Sequence, residues 1–124
     1  MSVANTFTFG HSVAPSLADS VDVSGEHASE SSFTVAGSTT NQQEAIAFSD
    51  SGLRGIYIKT DQDLTLKTNS SGSPDDTISL KAGIPYVWVY NSGIDLPFSA
   101  AVTTTYWTNA GSTAANVYLR RLVA

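Results

Sequence analysis

The two histidines, His11 and His27, are the side chains of this chain best suited to acid-base chemistry near neutral pH. They lie far apart in polar, loop-like sequence, without the i, i+2 or i, i+4 spacing that would hold a metal ion between them. The many serines lack a G-x-S-x-G motif that would position one of them as a nucleophile beside a base. We therefore expect surface histidines, no catalytic residue and no enzyme activity.

Two groups of acids are the remaining residues with chemical potential. Asp61 and Asp63 are separated by one residue, and Asp75 and Asp76 are adjacent, so either group could begin a calcium site built from oxygen ligands. Neither group continues into a known metal-binding loop. Aspartate also caps turns by accepting hydrogen bonds from backbone amides, and this interpretation predicts no metal site and no cofactor.

The aromatic residues point to contact rather than catalysis. In the predicted strand 84–90, alternation places Tyr86, Trp88 and Tyr90 on one side and Val87 and Val89 on the other. If the valines face the core, the three rings form an outer stripe that Trp107 or Tyr106 from a neighbouring strand extends. Such a stripe suits a subunit interface or a sugar-binding surface. The alternative is that the rings themselves form the core.

The C-terminal strand carries two adjacent arginines. Because neighbouring residues of a strand point in opposite directions, Arg120 and Arg121 must lie on opposite faces, with Tyr118 on the same side as Arg120. A buried guanidinium requires a partner, so we expect the arginine on the more apolar face to pair with a carboxylate or to emerge at an edge. Tyr118 and both arginines are candidate contact residues.

Composition narrows the class of protein. The chain of 124 residues fits one domain, and 14% charged residues is low, against about 25% in ordinary soluble proteins. Residues 1–53 hold six acids and no Lys or Arg, and the net charge of −5 argues against nucleic acid or anionic membrane as a partner. The absence of cysteine excludes disulfides and thiolate chemistry. Without a signal-like or membrane-spanning segment, we expect synthesis in the cytoplasm.

Hydrophobic alternation predicts an all-β, single-domain antiparallel β-sandwich, with jelly-roll or Greek-key connections, and a closed barrel is the alternative. The loop Asn69 to Asp76 is rich in turn residues, and Ala82-Gly83 predicts a hairpin between strands 77–81 and 84–90. We expect an exposed connection over 24–32. In the strand 53–60, alternation places Ile56 and Ile58 inward and Tyr57 and Lys59 outward. The predicted strands are 3–9, 21–23, 33–35, 44–49, 53–60, 64–67, 77–81, 84–90, 102–108 and 116–122, with a short helix over 40–48 as the rival to the fourth.

Four segments follow one another in the second half of the chain, namely KTDQDLTLKTN, DDTISLKAGIPYVWVYNSG, PFSAAVTTTYWTN and VYLRRL. Their order resembles small proteins encoded beside capsid genes of tailed phages, namely capsid decoration or cement proteins. The resemblance covers roughly residues 53–122.

That resemblance implies a β-sandwich or jelly-roll homotrimer that binds the major capsid protein on the head surface and stabilises the shell. Residues 1–10 would then serve as an extended N-terminal arm or a strand exchanged with a neighbour. The alternative is a carbohydrate-binding module or a tail receptor-binding domain that uses the exposed aromatic stripe.

Overall fold

The chain forms an all-β structure. The computed structural model describes the backbone of residues 3–11, 17–25 and 27–124, with side chains from Ala28 onward. Within these ranges there are ten strands and no helix. The strands are β1 (Val3–His11), β2 (Leu17–Gly25), β3 (His27–Val35), β4 (Thr39–Glu44), β5 (Leu53–Thr60), β6 (Leu64–Thr68), β7 (Thr77–Leu80), β8 (Tyr86–Val89), β9 (Thr105–Asn109) and β10 (Ala115–Val123).

Eight of these strands build two antiparallel four-stranded sheets. The first sheet has the order β3-β10-β5-β8, and the second has the order β4-β9-β6-β7. Strands β1 and β2 pair with each other as a separate two-stranded sheet. The predicted β-sandwich is therefore confirmed.

The strands pair as a doubled ribbon. Its innermost pair is the hairpin β6·β7, and the pairs β5·β8, β4·β9 and β3·β10 follow outward. Every other connection in 27–124 crosses from one sheet to the other. Such a wound ribbon is the arrangement expected of the jelly-roll interpretation.

The predicted hairpin between β7 and β8 is wrong. Gly83 has a positive φ of 74°, and its amide donates to the Thr60 carbonyl at 2.8 Å. However, β7 pairs with β6 while β8 pairs with β5. The turn between β7 and β8 therefore carries the chain from the second sheet to the first. Each of the two strands buries its apolar side against the opposite sheet.

Two other predicted elements need correction. The exposed connection over 24–32 is mostly strand, since β2 continues to Gly25 and β3 begins at His27. Its Ser-rich sequence suits an edge strand, where one side faces solvent. Strand β4 lies before the predicted 44–49, and the rival helix is absent. Ile46 and Phe48 still face the core, and Phe48 bridges Val102.

The main core lies between the two sheets. Trp107 at its centre is 0% exposed and packs edge-on against Phe33, with 5.0 Å between ring centroids. In β5, Ile56 and Ile58 face inward while Tyr57 and Lys59 face outward, as the alternation predicted. This core fixes which face of each strand is available for binding.

A second apolar cluster lies on the outer face of the first sheet. It consists of Val89 and Leu122, which are 3% and 2% exposed, with Val87 packed beside them. Gly55 separates Val89 from Leu122 in the register of the sheet. Strand β2 approaches β5 and β10, so the N-terminal hairpin lies near this part of the sheet.

Candidate interaction surfaces

The predicted outer stripe of aromatics on β8 is not formed. Trp88 is only 8% exposed and belongs to the main core, where Tyr86 packs against it. Burial raises the pKa of Tyr86, with a smaller contribution from the negative charge of Asp76. Tyr90 alone, just beyond the strand, remains exposed at 44%. The alternative interpretation, in which the rings form the core, therefore holds for Tyr86 and Trp88.

Both tryptophans are held by their indole nitrogens as well as by packing. Trp107 Nε1 donates to Thr105 Oγ1 at 2.8 Å, and Trp88 Nε1 donates to the Ile94 carbonyl at 3.0 Å. Because a buried indole N–H needs an acceptor, these contacts fix both rings inside the sandwich. Neither ring is available to a partner or ligand.

Arg120 and Arg121 lie on opposite faces, as predicted. Arg120 points outward, and its guanidinium forms an ion pair with Glu30 at 2.6 Å. Arg121 lies on the inner side of β10 and is half-buried. Its Nη1 atom is buried without a hydrogen-bond partner among the described residues, and burial lowers the pKa of the guanidinium. The carboxylate partner expected for this arginine is not found in the described part of the chain.

The outer face of the first sheet carries a flat group of polar and aromatic side chains. We call it the tyrosine face, and it consists of Tyr57, Lys59, Asn116 and Tyr118, bordered by Ser32 and Thr34 of β3. The rings of Tyr57 and Tyr118 meet edge to face, with centroids 6.3 Å apart. Tyr118 is 38% exposed.

Two shallow grooves run along the tyrosine face. One of about 290 Å³ lies toward Lys59 and Asp61, and one of about 360 Å³ lies toward Ser32 and Thr34. Asn116 and Tyr118 line both grooves and thus form the ridge between them. A hydrogen bond from the Tyr118 hydroxyl to Glu30, followed by partial burial, raises the pKa of the tyrosine.

The aspartates at the predicted turns bind protein donors. Asp61 accepts hydrogen bonds from the backbone and side-chain nitrogens of Asn116 at 2.7 and 2.9 Å, and these two bonds lower the pKa of Asp61. The Ala82 amide and then the positive charge of Lys81 lower the pKa of Asp63. Both carboxylates therefore stay ionised and fix the chain at neighbouring sheet crossings.

The second acidic pair fastens the β6–β7 hairpin. Asp76 accepts a hydrogen bond from the Ser99 amide at 2.8 Å, and Asp75 accepts one from Asn69 at 2.6 Å. These contacts agree with the turn-capping interpretation of both acidic groups. Within the described residues, no group of three or more His, Asp or Glu side chains is placed to hold a metal ion.

The most exposed aliphatic side chains lie beside the edge strand β8. Ile84 precedes the strand and is 62% exposed, and Ile94 follows it and is 69% exposed. With Tyr90, they form what we call the β8 edge surface. The predicted strand 84–90 includes Ile84, and no prediction concerns Ile94. A useful signal was present, since Gly83 and Pro85 flank Ile84 and Gly93 precedes Ile94, which is typical of loops.

Two predictions concern the N-terminal region. The surface position of His11 and His27 lies outside the described side chains. Residues 1–10 were predicted as an arm or an exchanged strand, and within the described backbone β1 pairs with β2 of the same chain. The part of this segment before Val3 lies outside the described residues.

Comparisons with known proteins add no relative. No family model, curated protein or solved structure matches the chain. In the described residues, no helix has the length and apolar character required to cross a membrane. With no relative to compare, the structural evidence on function comes from the surfaces described above.

Proposed function

We propose that the chain is a capsid decoration protein of a tailed phage, a non-enzymatic part of the virion that binds the head surface and stabilises the shell. The resemblance over residues 53–122 supplies the class of protein. The observation that supports the proposal best is the β8 edge surface, where Ile84, Tyr90 and Ile94 lie exposed around an edge strand of a closely packed sandwich.

An edge strand with exposed apolar neighbours suits a contact with another protein. Within the described residues, strand β8 pairs with β5 on one side only, so its other side retains unpaired backbone donors and acceptors. Ile84 and Ile94 can then be buried against a partner, which would contribute roughly 1.5 to 3 kcal/mol for each side chain fully buried. These are the elements of a specific though small protein contact.

On a capsid, many copies of a weak contact would be enough to keep the protein attached. If the protein is a homotrimer, each copy of the β8 edge surface adds to the same attachment, and linked contacts raise the overall affinity without any new interaction. In this proposal the partners are other copies of the chain and the major capsid protein. The net charge of −5 disfavours nucleic acid and anionic membrane as partners.

The sequence-based alternative, sugar or receptor binding by the β8 stripe, lacks support at that place. Trp88 and Trp107, the two rings with the largest stacking area, are 8% and 0% exposed. A glycan cannot stack on rings that lie inside the sandwich. Any carbohydrate site must use other aromatics.

The proposal can be tested with heads of the phage whose genome carries this gene beside its major capsid gene. Purified protein is mixed with undecorated heads, sedimented and counted, and its solution mass is measured separately. We expect saturable binding at a fixed ratio to the capsid protein and a trimeric mass. Failure to sediment with heads at saturating concentration would refute the proposal.

A double variant tests whether the β8 edge surface is the contact with the head. Ile84→Ser with Ile94→Ser should reduce head binding at least about tenfold, since two apolar anchors are lost. Thr77→Ser, on the exposed part of the opposite edge strand β7, provides the matched control and should bind like the parent protein. Equal binding by the double variant and the control would exclude the β8 edge surface as the contact.

A further inference from the structure

The tyrosine face has a chemistry that differs from the β8 edge surface. Of the large apolar side chains exposed in the described residues, Tyr118 alone lies on it, and Ile84, Tyr90 and Ile94 lie elsewhere. Its other members present hydroxyl, amide and ammonium groups at the rims of two grooves that meet at Asn116 and Tyr118. An aromatic ridge between two grooves with mostly apolar walls and polar rims can contact a ligand on both sides of the ring.

The charges around this face largely cancel. Arg120 is paired with Glu30 at 2.6 Å, and Asp61 is held by two hydrogen bonds from Asn116. Lys59 and Asp61 at the rim of one groove have opposite charge. A partner with high charge of either sign would find no complementary patch here, so the face favours a neutral ligand.

The hydrogen bonds also make the ridge rigid. Asn116 donates to Asp61 and accepts from Thr34 Oγ1 at 3.2 Å, so its side chain bridges β3 and the β5–β6 link. The Tyr118 ring is held by the edge-on contact with Tyr57. Ordering before binding reduces the entropy lost when a ligand is held.

We propose that the tyrosine face binds a neutral oligosaccharide, with the Tyr118 ring as its stacking platform. A sugar ring presents C–H groups on one side, which pack on an aromatic ring, and hydroxyl groups around its edge, which require donors and acceptors. Lys59 and Asn116 supply these on one side of the ridge, and Ser32 and Thr34 supply them on the other. The shallow, open grooves suit an extended chain of sugars.

The charge balance and the lack of exposed aliphatic side chains favour this occupant over a second protein. The exposed aliphatic side chains that a second copy of the chain could bury, Ile84 and Ile94, lie at the β8 edge surface and not on the tyrosine face. The glycan site is separate from the proposed capsid contact and does not depend on it. On a decorated head, the glycan site would face outward or inward depending on the orientation of the sandwich.

The test uses the full chain and neutral oligosaccharides. Binding is screened on a printed array of neutral glycans, and chitotriose, cellotriose and maltotriose are titrated into isotopically labelled protein while amide NMR shifts are followed. We expect shifts centred on Lys59, Asn116 and Tyr118 for at least one sugar. Tyr118→Ala should weaken that binding at least about tenfold, as loss of a central aromatic contact does.

The matched control is Tyr90→Ala, which removes a tyrosine of similar exposure from the β8 edge surface. It should bind sugar like the parent protein. Tyr118→Phe keeps the ring and should retain most of the affinity, which separates stacking from loss of the Glu30 bond. Absence of binding at millimolar sugar, binding that survives Tyr118→Ala, or the same amide shifts caused by raising the protein concentration alone would each overturn the proposal.

Discussion

The two faces of the first sheet contrast in what their side chains do. Along β10, Val117 and Leu119 point inward and are 3% and 1% exposed, whereas Tyr118 between them is 38% exposed. The inner side chains hold the two sheets together, and the outer ones carry hydrogen bonds, charge and an open aromatic ring. Consecutive residues of one strand thus contribute to stability and to binding separately, and substitutions should separate the two effects.

The largest effect is expected on the inner side, at Trp107. Replacement of Trp107 by Ala removes a fully buried ring, its contact with Phe33 and its bond to Thr105. We expect the free energy of unfolding to fall by about 3 to 5 kcal/mol, which denaturant titration will measure. Tyr118→Ala, on the outer face of a central strand, is the control and should cost far less. Similar losses for both variants would contradict the division between the faces.

The second prediction concerns the exception to that division, the buried cluster on the outer face. Leu122→Ala should lower the free energy of unfolding by about 2 to 3 kcal/mol, because Leu122 is 2% exposed beside Val89. Thermal and denaturant unfolding provide the measurement. An effect below about 0.5 kcal/mol would show that the cluster lies open to water, as surface substitutions usually have effects of that size.

Deletion of residues 1–25 tests whether strands β1 and β2 cover the cluster of Val89 and Leu122. Strand β2 approaches β5 and β10, so the deletion should expose Val89 and Leu122 and reduce the cost of Leu122→Ala. If the cost is unchanged, other parts of the chain bury the cluster. The inner-face variant Trp107→Ala should lose the same stability with or without the N-terminal residues.

The contrast also explains how far the sequence predicted the structure. Alternation correctly placed Ile56 and Ile58 inward and Tyr57 outward in β5, because only one face of that strand is strongly apolar. In β8 both faces are apolar, since Trp88 enters the main core and Val89 the outer cluster. A period of two cannot choose between such faces, so the sequence left open whether the aromatic rings or the valines face the core.

Strand pairing was harder to predict than strand position. The turn residues at Ala82-Gly83 signal a reversal of the chain, but they do not say whether the next strand joins the same sheet. That choice depends on contacts between distant segments, such as Ile56 of β5 opposite Trp88 of β8. The tyrosine face was missed for the same reason, since Tyr57 and Tyr118 come together only through the pairing of β5 with β10.

The third prediction concerns the one cation on the inner side of β10. Arg121→Met keeps the length of the side chain and removes a guanidinium whose Nη1 lacks a partner among the described residues. We expect the free energy of unfolding to rise by about 1 kcal/mol, since an unpaired buried polar atom is removed. Arg120→Met on the outer face is the control and should not stabilise. If Arg121→Met destabilises the protein, the guanidinium has a carboxylate partner after all.

The fourth prediction concerns the ion pair on the outer face. Glu30→Gln should change the free energy of unfolding by less than about 1 kcal/mol, because both partners are half-exposed. The same substitution should lower the pKa of Tyr118, since the bond to Glu30 is the main cause that raises it. Carbon NMR of the tyrosine rings during a pH titration will measure this. An unchanged Tyr118 pKa would remove Glu30 from the network on the tyrosine face.

The smallest effect belongs to Asp61, at the rim of the tyrosine face. Its pKa is lowered first by the backbone amide of Asn116 and second by the side chain, so Asn116→Ala keeps the larger cause. We expect the pKa of Asp61 to rise only part of the way to the ordinary aspartate value.

Because the folded pKa lies below the unfolded one, the contribution of Asp61 to stability is present above the unfolded pKa and is lost as pH falls through the folded pKa. Carboxyl NMR titration will follow this group, with Asp63 as the control because its donors are Ala82 and Lys81. A full return of the Asp61 pKa to the ordinary value would mean that the backbone bond breaks with the side chain, and the ridge at Asn116 would then depend on the amide group rather than on the sheet.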